Sequence, residues 1–338
     1  MQEEFDDIRV ATERVLAGAF SREDLKTGDR IAPDLAPRLW ALATEMGWPG
    51  LLLPEEAGGL GLGMAAAVVV GAELGRALAP GNWAASLALA PGVAEDDHLR
   101  DAVAGGEVRL AFALAERGEG GWHALVDHGA SVTHVLLALP GAGEGLRLHL
   151  VPAAAMRIAR ACQPLDPGTP VSEAFVPDEA LGLEIAGGER SLDAFQLFLA
   201  AQLVGIARGA LGLCTDYAKT RVQFGAPIGS FQALKHRLAD IAIATDASDL
   251  AVRAAAIAWD GGAPSARLDV LCAYDLASQA MDAATRACIQ LHGAIGVSWE
   301  HDAHLYLKRG RCLASALPPS RAWHAPASFE RMLRHYGT

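Results

Sequence analysis

The sequence predicts a mainly α-helical protein with a small antiparallel β domain in its middle. The expected order is an N-terminal α-helical domain over 1–105, a reduced β domain over 106–188 and a C-terminal bundle of long helices over 189–338. Three observations carry this order. Apolar residues recur at helical spacing through the first hundred residues. Between about residue 106 and residue 176 the pattern shortens to strand-like runs, and after Gly187-Gly188 the helical period returns in much longer segments.

Phe5, Ile8, Ala11, Val15 and Leu16 mark the first helix, and Leu35, Leu39 and Leu42 share one face of a second over about Ala32 to Met46. Pro54 with Gly58, Gly59, Gly61 and Gly63 forces an irregular turn before a third, about Met64 to Ala79. Val108–Leu114, Val132–Leu139, Leu146–Pro152 and Val171–Val176 are short runs bounded by Gly, Pro, Asp or Glu, as strands are. Long helices are expected over Leu192–Thr220, from about Phe231 to Trp259 with Leu234, Leu238 and Ile241 on one face, and over Asp269–Leu291. Two shorter ones, Asp302–Cys312 and Ala325–His335, flank Pro318-Pro319, and Ser191 is expected to cap the first long helix.

Composition removes several function classes. With 28 Lys+Arg against 40 Asp+Glu the formal charge is -12, which disfavours phosphate backbones and anionic lipid, so no nucleic-acid partner is expected. The chain is 51% hydrophobic and 20% charged, which suits a globular helical protein with large buried or interface area. The five cysteines form no CxxC pair and read as reduced, mostly buried thiols. The eleven histidines show no dense ligand spacing, so no metal site is expected; His236 and His292 are read as packed, satisfied side chains, and Trp48 and Trp299 as packing residues. The acidic N-terminus lacks a secretory pattern, and apolar stretches such as Met64–Gly71 are too short to span a bilayer. A cytoplasmic protein is therefore expected.

Two segments carry chemistry. Arg221-Val222-Gln223-Phe224-Gly225-Ala226-Pro227 begins where the first long helix ends. Arg221 reads either as a helix cap or as a diphosphate ligand, since a rigid guanidinium fork suits two phosphates; Gln223 would reinforce it and Phe224 would wall an adenine or flavin edge. Gln290-Leu291-His292-Gly293-Ala294-Ile295-Gly296 ends the third long helix. It reads either as a plain glycine turn or as a place where Gly293 admits close backbone approach and Gln290 offers an amide. Neither is the strand-turn-helix glycine fingerprint of a nicotinamide site.

With the three-part domain order, "RVQFGAPIGSFQALKHRLAD" at 221–240, "QLHGAIG" at 290–296 and "MGWPGLLLPEEAGGLGLG" at 46–63, the chain resembles the flavin-dependent acyl-CoA dehydrogenases over essentially its whole length. That resemblance implies FAD bound between subunits. Arg221, Gln223 and Phe224 would hold the diphosphate end, and Gln290 and Gly293 would lie on the facing element. It also implies an acyl-CoA substrate and an electron-transfer flavoprotein as redox partner. Ala294 stands where the family pairs a second glycine.

The resemblance departs from the family at the chemistry. Desaturation needs a carboxylate to take the α proton and a cradle for the flavin ring. Aligned on the family motifs, the two places where its members carry that base fall on Leu317 and Phe195, both apolar. Asp193 lies on another helix face, and Glu300 and Asp302 flank His301 in a polar turn. Where a hydroxyl-rich flavin loop is expected, "ALAERGEGGW" stands at 113–122. No catalytic residue is therefore assigned. The chain looks like the short subunit of α2β2 enzymes that dehydrogenate steroid side-chain CoA thioesters, in which a longer homologue supplies the base. Two further readings stay open: a complete homomeric dehydrogenase with a displaced base, and a non-redox acyl-CoA-binding protein.

Overall fold

A computed structural model describes residues 2–26, 31–32, 34–129, 131–141 and 145–317. The expected helix at 325–335 lies outside the described residues. The N-terminal part holds α1 (Gln2–Ala19), α2 (Leu35–Glu45), α3 (Gly63–Ala77), a one-turn α4 (Ala90–Val93) and α5 (Asp97–Ala104). Six strands follow: β1 (Leu110–Gly118), β2 (Gly121–Asp127), β3 (His134–Pro140), β4 (Leu146–Pro152), β5 (Arg157–Cys162) and β6 (Val171–Pro177). The C-terminal part is α6 (Gly188–Thr220), a short hairpin of β7 (Val222–Gln223) and β8 (Ala226–Pro227), α7 (Gln232–Asp260), α8 (Ala266–His292) and α9 (Ala303–Ala314).

The six strands form one sheet in the order β4-β3-β1-β2-β6-β5. Four pairings are antiparallel, but β1 and β3 run parallel, which corrects the all-antiparallel expectation. Strand runs alone do not report the direction of a long connection. β2 and β5 also went unforeseen: β5 is exposed along most of its length, so it lacks the apolar alternation that marks a strand.

Alternation along β1 serves two cores. Ala111, Ala113 and Ala115 pack with Val135, Leu137 and Val151 inside the β domain, while Leu110 and Phe112 face the helices. There the Phe112 ring lies 4.8 Å from Phe195 of α6. α6 is the axis of the molecule. It is the one helix among the described residues long and apolar enough to cross a membrane, but most of that apolar stretch is buried against its neighbours. Its close seam with α3 depends on paired glycines. A Cβ on Gly75 would stand 2.1 Å from the Gln202 carbonyl oxygen, and one on Gly205 1.8 Å from that of Ala72. Ser191 lies inside the first turn of α6; Gly187, in the left-handed region, takes the N-cap position instead.

Two polar devices lock the parts together. The Asp260 carboxylate, at the end of α7, accepts from the Met64 and Ala65 amides at 2.8 and 2.9 Å and so caps α3 from across the molecule. Asp302, before α9, is paired with Lys26 at 2.9 Å and Arg22 at 3.2 Å. It therefore serves as structure, as does Asp193, which Arg267 approaches at 3.4 Å.

Candidate functional site

At the end of α6 the Thr220 hydroxyl donates to the Asp216 and Tyr217 carbonyls at 3.1 and 3.3 Å. The C-cap residue of α6 is Arg221 itself. Arg221 uses its backbone, donating to Tyr217 and accepting from Ile228, both at 2.8 Å, while its exposed guanidinium has no partner among the described residues. The chain then reverses through β7 and β8. Phe224 and Gly225 sit at φ 54° and 80°, the two left-handed positions of a two-residue hairpin turn. Glycine takes that backbone freely, whereas phenylalanine pays about 1–2 kcal/mol for it. Phe224 is nonetheless 94% exposed, with the Phe231 ring edge-on to it at 6.2 Å between centroids. Gln223 is exposed beside it.

The second segment lies at the same end of the bundle. The Tyr217 ring, one turn before Arg221, packs 4.2 Å from the ring of His292. His292 is buried and its Nδ1 lies 2.7 Å from the Cys288 carbonyl, while its Nε2 has no partner among the described residues. Next to it Gly293 takes φ 61°, ψ -135°, a backbone that needs glycine, and the space where a Cβ would stand is open. Ala294 shows no positive φ, so its methyl group fits the turn. Gln290 is exposed on the last turn of α8. All five residues expected to form the cofactor site are therefore solvent-facing. His236 is exposed on α7, contrary to the packed role expected for it.

A cleft of about 770 Å³ opens between the sheet and α6. Its sheet wall carries Phe112 and Glu116 of β1, Leu125 and Asp127 of β2 and Glu173 of β6; its helical wall carries Phe195, Leu199 and Gln202, one stripe of α6. Phe195 is buried, and Leu317 is buried in the helical core. No carboxylate stands at either position expected for a base. The 113–122 segment is a tight β1–β2 hairpin with Gly118 opposite Gly121, so its backbone is spent on strand pairing.

Below the cleft lies a charged cluster that sequence spacing did not reveal. Arg309 of α9 donates to the Asp166 carboxylate and, through Nη1, to the Leu78 and Ala79 carbonyls at 3.2 and 3.0 Å. Asp166 also accepts from Thr169 Oγ1 at 2.7 Å and the Gly168 amide at 3.2 Å. Burial, and then the charge of Asp166, push the Asp127 carboxyl up to about 6. Burial, and then Arg309, push the adjacent His128 imidazole down to about 4, so it is neutral at pH 7. All five cysteines are unpaired, with Cys214 and Cys288 fully buried, and the described residues hold no group of three or more His, Cys, Asp or Glu placed to bind a metal.

Residues 4–95 match the acyl-CoA dehydrogenase N-terminal domain and residues 182–316 the C-terminal domain. The chain belongs to the acyl-CoA dehydrogenase family. It is 36% identical over 290 residues to the acyl-CoA dehydrogenase IpdE2 of Mycobacterium tuberculosis, covering 84% of this chain and 83% of that protein. It is 33% identical to the IpdE2 of Mycolicibacterium smegmatis, covering 84% and 85%. Among solved structures it superposes on a steroid ACAD, Tcur3481–Tcur3483, with a TM-score of 0.82 at 25% identity, covering 100% of this chain and 99% of that one. The ChsE4–ChsE5 complex of Mycobacterium tuberculosis gives 0.80 at 22% identity, covering 100% and 98%; at that identity the likeness is one of fold.

Proposed function

We propose that this acyl-CoA dehydrogenase chain is the base-less subunit of an FAD-dependent complex that forms an α,β double bond in a CoA thioester. It supplies the flavin-diphosphate surface, and a longer homologue supplies the flavin-ring site and the catalytic carboxylate. One contrast carries the reading: Arg221 carries an exposed guanidinium with no partner among the described residues, at the same bundle end as the open Gly293 turn, while Phe195 and Leu317 leave the chain's own cleft without a base.

The donor set at the bundle end fits a diphosphate. Arg221 offers a charged fork, Gln223 and Gln290 offer amides, and the open Gly293 turn admits close approach of its backbone. Phe224 offers an apolar face that a second subunit or an adenine would cover. FAD, when bound, would supply the acceptor for the β hydride, and Arg221, Gln223 and Gln290 would orient and retain it. The partner surface is supplied by Val222, Phe224 and the outer stripe of α7, where Ile243, Leu250 and Ile257 recur every seven residues and are exposed. A steroid-like acyl group is supported by the likeness to the steroid ACAD Tcur3481–Tcur3483. An electron-transfer flavoprotein as redox partner and a cytoplasmic setting belong to the same reading.

The test is FAD titration of the deflavinated complex carrying Arg221→Ala. Losing one charge-assisted hydrogen-bonding group of about 1.5–3 kcal/mol weakens FAD about 10- to 150-fold. Arg221→Lys is expected to recover part of the loss, since a point charge lacks the planar fork. Arg311→Ala is the control, because that side chain is paired with Asp282 on α8. Unchanged FAD affinity in an intact Arg221→Ala complex removes the proposed contact. A displaced-base reading has one observation in its favour, the raised carboxyl of Asp127 in the cleft. It requires the isolated chain to turn over.

A further inference from the structure

We infer that the cleft of this chain is a binding site for an uncharged, hydroxyl-bearing apolar molecule, and that it rejects anionic ligands. Its volume of about 770 Å³ falls within the roughly 300–1,000 Å³ typical of small-molecule sites. The walls are largely apolar, with Trp83, Phe112, Leu114, Leu125, Phe195 and Leu199 facing the space from four separate elements. Such walls select a hydrophobic body.

The polar groups then decide the head. Three lining side chains, Glu116, Asp127 and Glu173, are carboxylates, and the imidazole of His123 packs on the Phe175 ring. Gln202 is 4% exposed, and its side-chain carbonyl oxygen is buried with no partner among the described residues. Asp127 stands on the facing strand, with no side-chain partner among the described residues, and Glu116 stands further along the same wall. Glu173 is occupied by Arg160. The one Lys or Arg among the lining residues, Arg309, is spent on Asp166 and on two backbone carbonyls. An incoming phosphate or carboxylate therefore meets Asp127 and Glu116 with no free Lys or Arg among the described lining residues to offset them. A hydroxyl donor meets the Gln202 oxygen, which otherwise stays buried and unsatisfied, and the half-buried Asp127 carboxylate.

The inference rests on the proposed function only for the longer homologue with which the chain is tested, since none of these residues lies at the Arg221–Gly293 end. It is tested on the full chain in complex with its longer homologue, by calorimetry and ligand-observed NMR with 1,12-dodecanediol and dodecanedioate. The two probes share length and apolar body and differ in charge. The diol is expected to bind saturably, with the dianion at least about tenfold weaker.

Asp127→Asn and Gln202→Leu, each made in this chain alone, are expected to weaken the diol by about fivefold or more. Asp127→Asn is also expected to narrow the gap between diol and dianion, since it removes one carboxylate. Neither substitution should unfold the chain: the first removes a charge that burial disfavours, the second an unsatisfied polar atom. FAD content of the same samples, read by absorbance, is expected to stay constant, and a fall in it would bear on the flavin reading instead. No saturable diol binding, equal binding of the dianion, or diol binding untouched by both substitutions would each overturn the inference.

Discussion

Replacing Asp127 by asparagine is expected to change the pH dependence of stability in a way that exposes its neighbour. Asp127 is raised from 3.8 to about 6, so between these values the folded chain holds a proton that the unfolded chain has released. Its contribution is fully present below the unfolded value and is lost as pH rises through about 6. His128 is lowered from 6.5 to about 4, so between these values the unfolded chain binds a proton that the folded chain refuses. Its contribution is present above 6.5 and is lost as pH falls through about 4. At about 1.4 kcal/mol per unit, each residue shifts stability by about 3 kcal/mol, with opposite sign over nearly the same window. These two contributions should therefore nearly cancel between about pH 4 and 6 in the parent chain. Asp127→Asn removes one side: at pH 7.5 the variant should be more stable by about 2–3 kcal/mol, and its stability should fall as pH drops from 6 toward 4. Urea unfolding at half-unit pH steps, with parent and variant compared at each step, reads both effects. Parallel pH profiles for the two proteins would refute the reasoning.

Three further outcomes follow from other parts of the molecule. Arg309→Met removes the counter-charge of buried Asp166 and one donor to each of the Leu78 and Ala79 carbonyls, and is expected to cost about 3–5 kcal/mol in denaturant unfolding, with partial recovery on adding Asp166→Asn. Leu250→Asp, at a position 68% exposed in the single chain, should leave the chain folded by circular dichroism but raise the dissociation constant of the complex at least about 30-fold by light scattering or analytical ultracentrifugation. Gly205→Ala puts a methyl group against the Ala72 carbonyl and is expected to lower stability by about 1–3 kcal/mol by forcing α3 away from α6.

The helices were legible because each carries its own period. Leu35 and Leu39 of α2 are both buried, and the long spans of α6, α7 and α8 appear within a few residues of where the apolar spacing placed them. What escaped was whatever depends on distant partners. The direction of β1 against β3 is set by a connection that carries no local signal. The exposed strand β5 has no buried face to write an alternation. At the bundle end the sequence marked Arg221 and Gly293 as special, and the fold adds that Tyr217 and His292 hold their segments together and that Arg221 caps α6 through its backbone, which leaves its guanidinium exposed. The cleft cluster was invisible because Asp127, Asp166, Gln202 and Arg309 are widely separated along the chain, and an isolated Asp or Gln between apolar residues reads as surface. Phe195 and Leu317 were informative through the carboxylate they lack.

The central claim is that this chain completes a dehydrogenase without performing the proton abstraction itself. Anaerobic addition of an acyl-CoA to three FAD-saturated samples tests it most directly: this chain alone, the longer homologue alone, and the two co-expressed. Bleaching of the flavin is expected only in the co-expressed complex, with one FAD for each pair of unlike chains. Substrate-dependent bleaching by this chain alone, in rigorously homogeneous protein, would contradict the account.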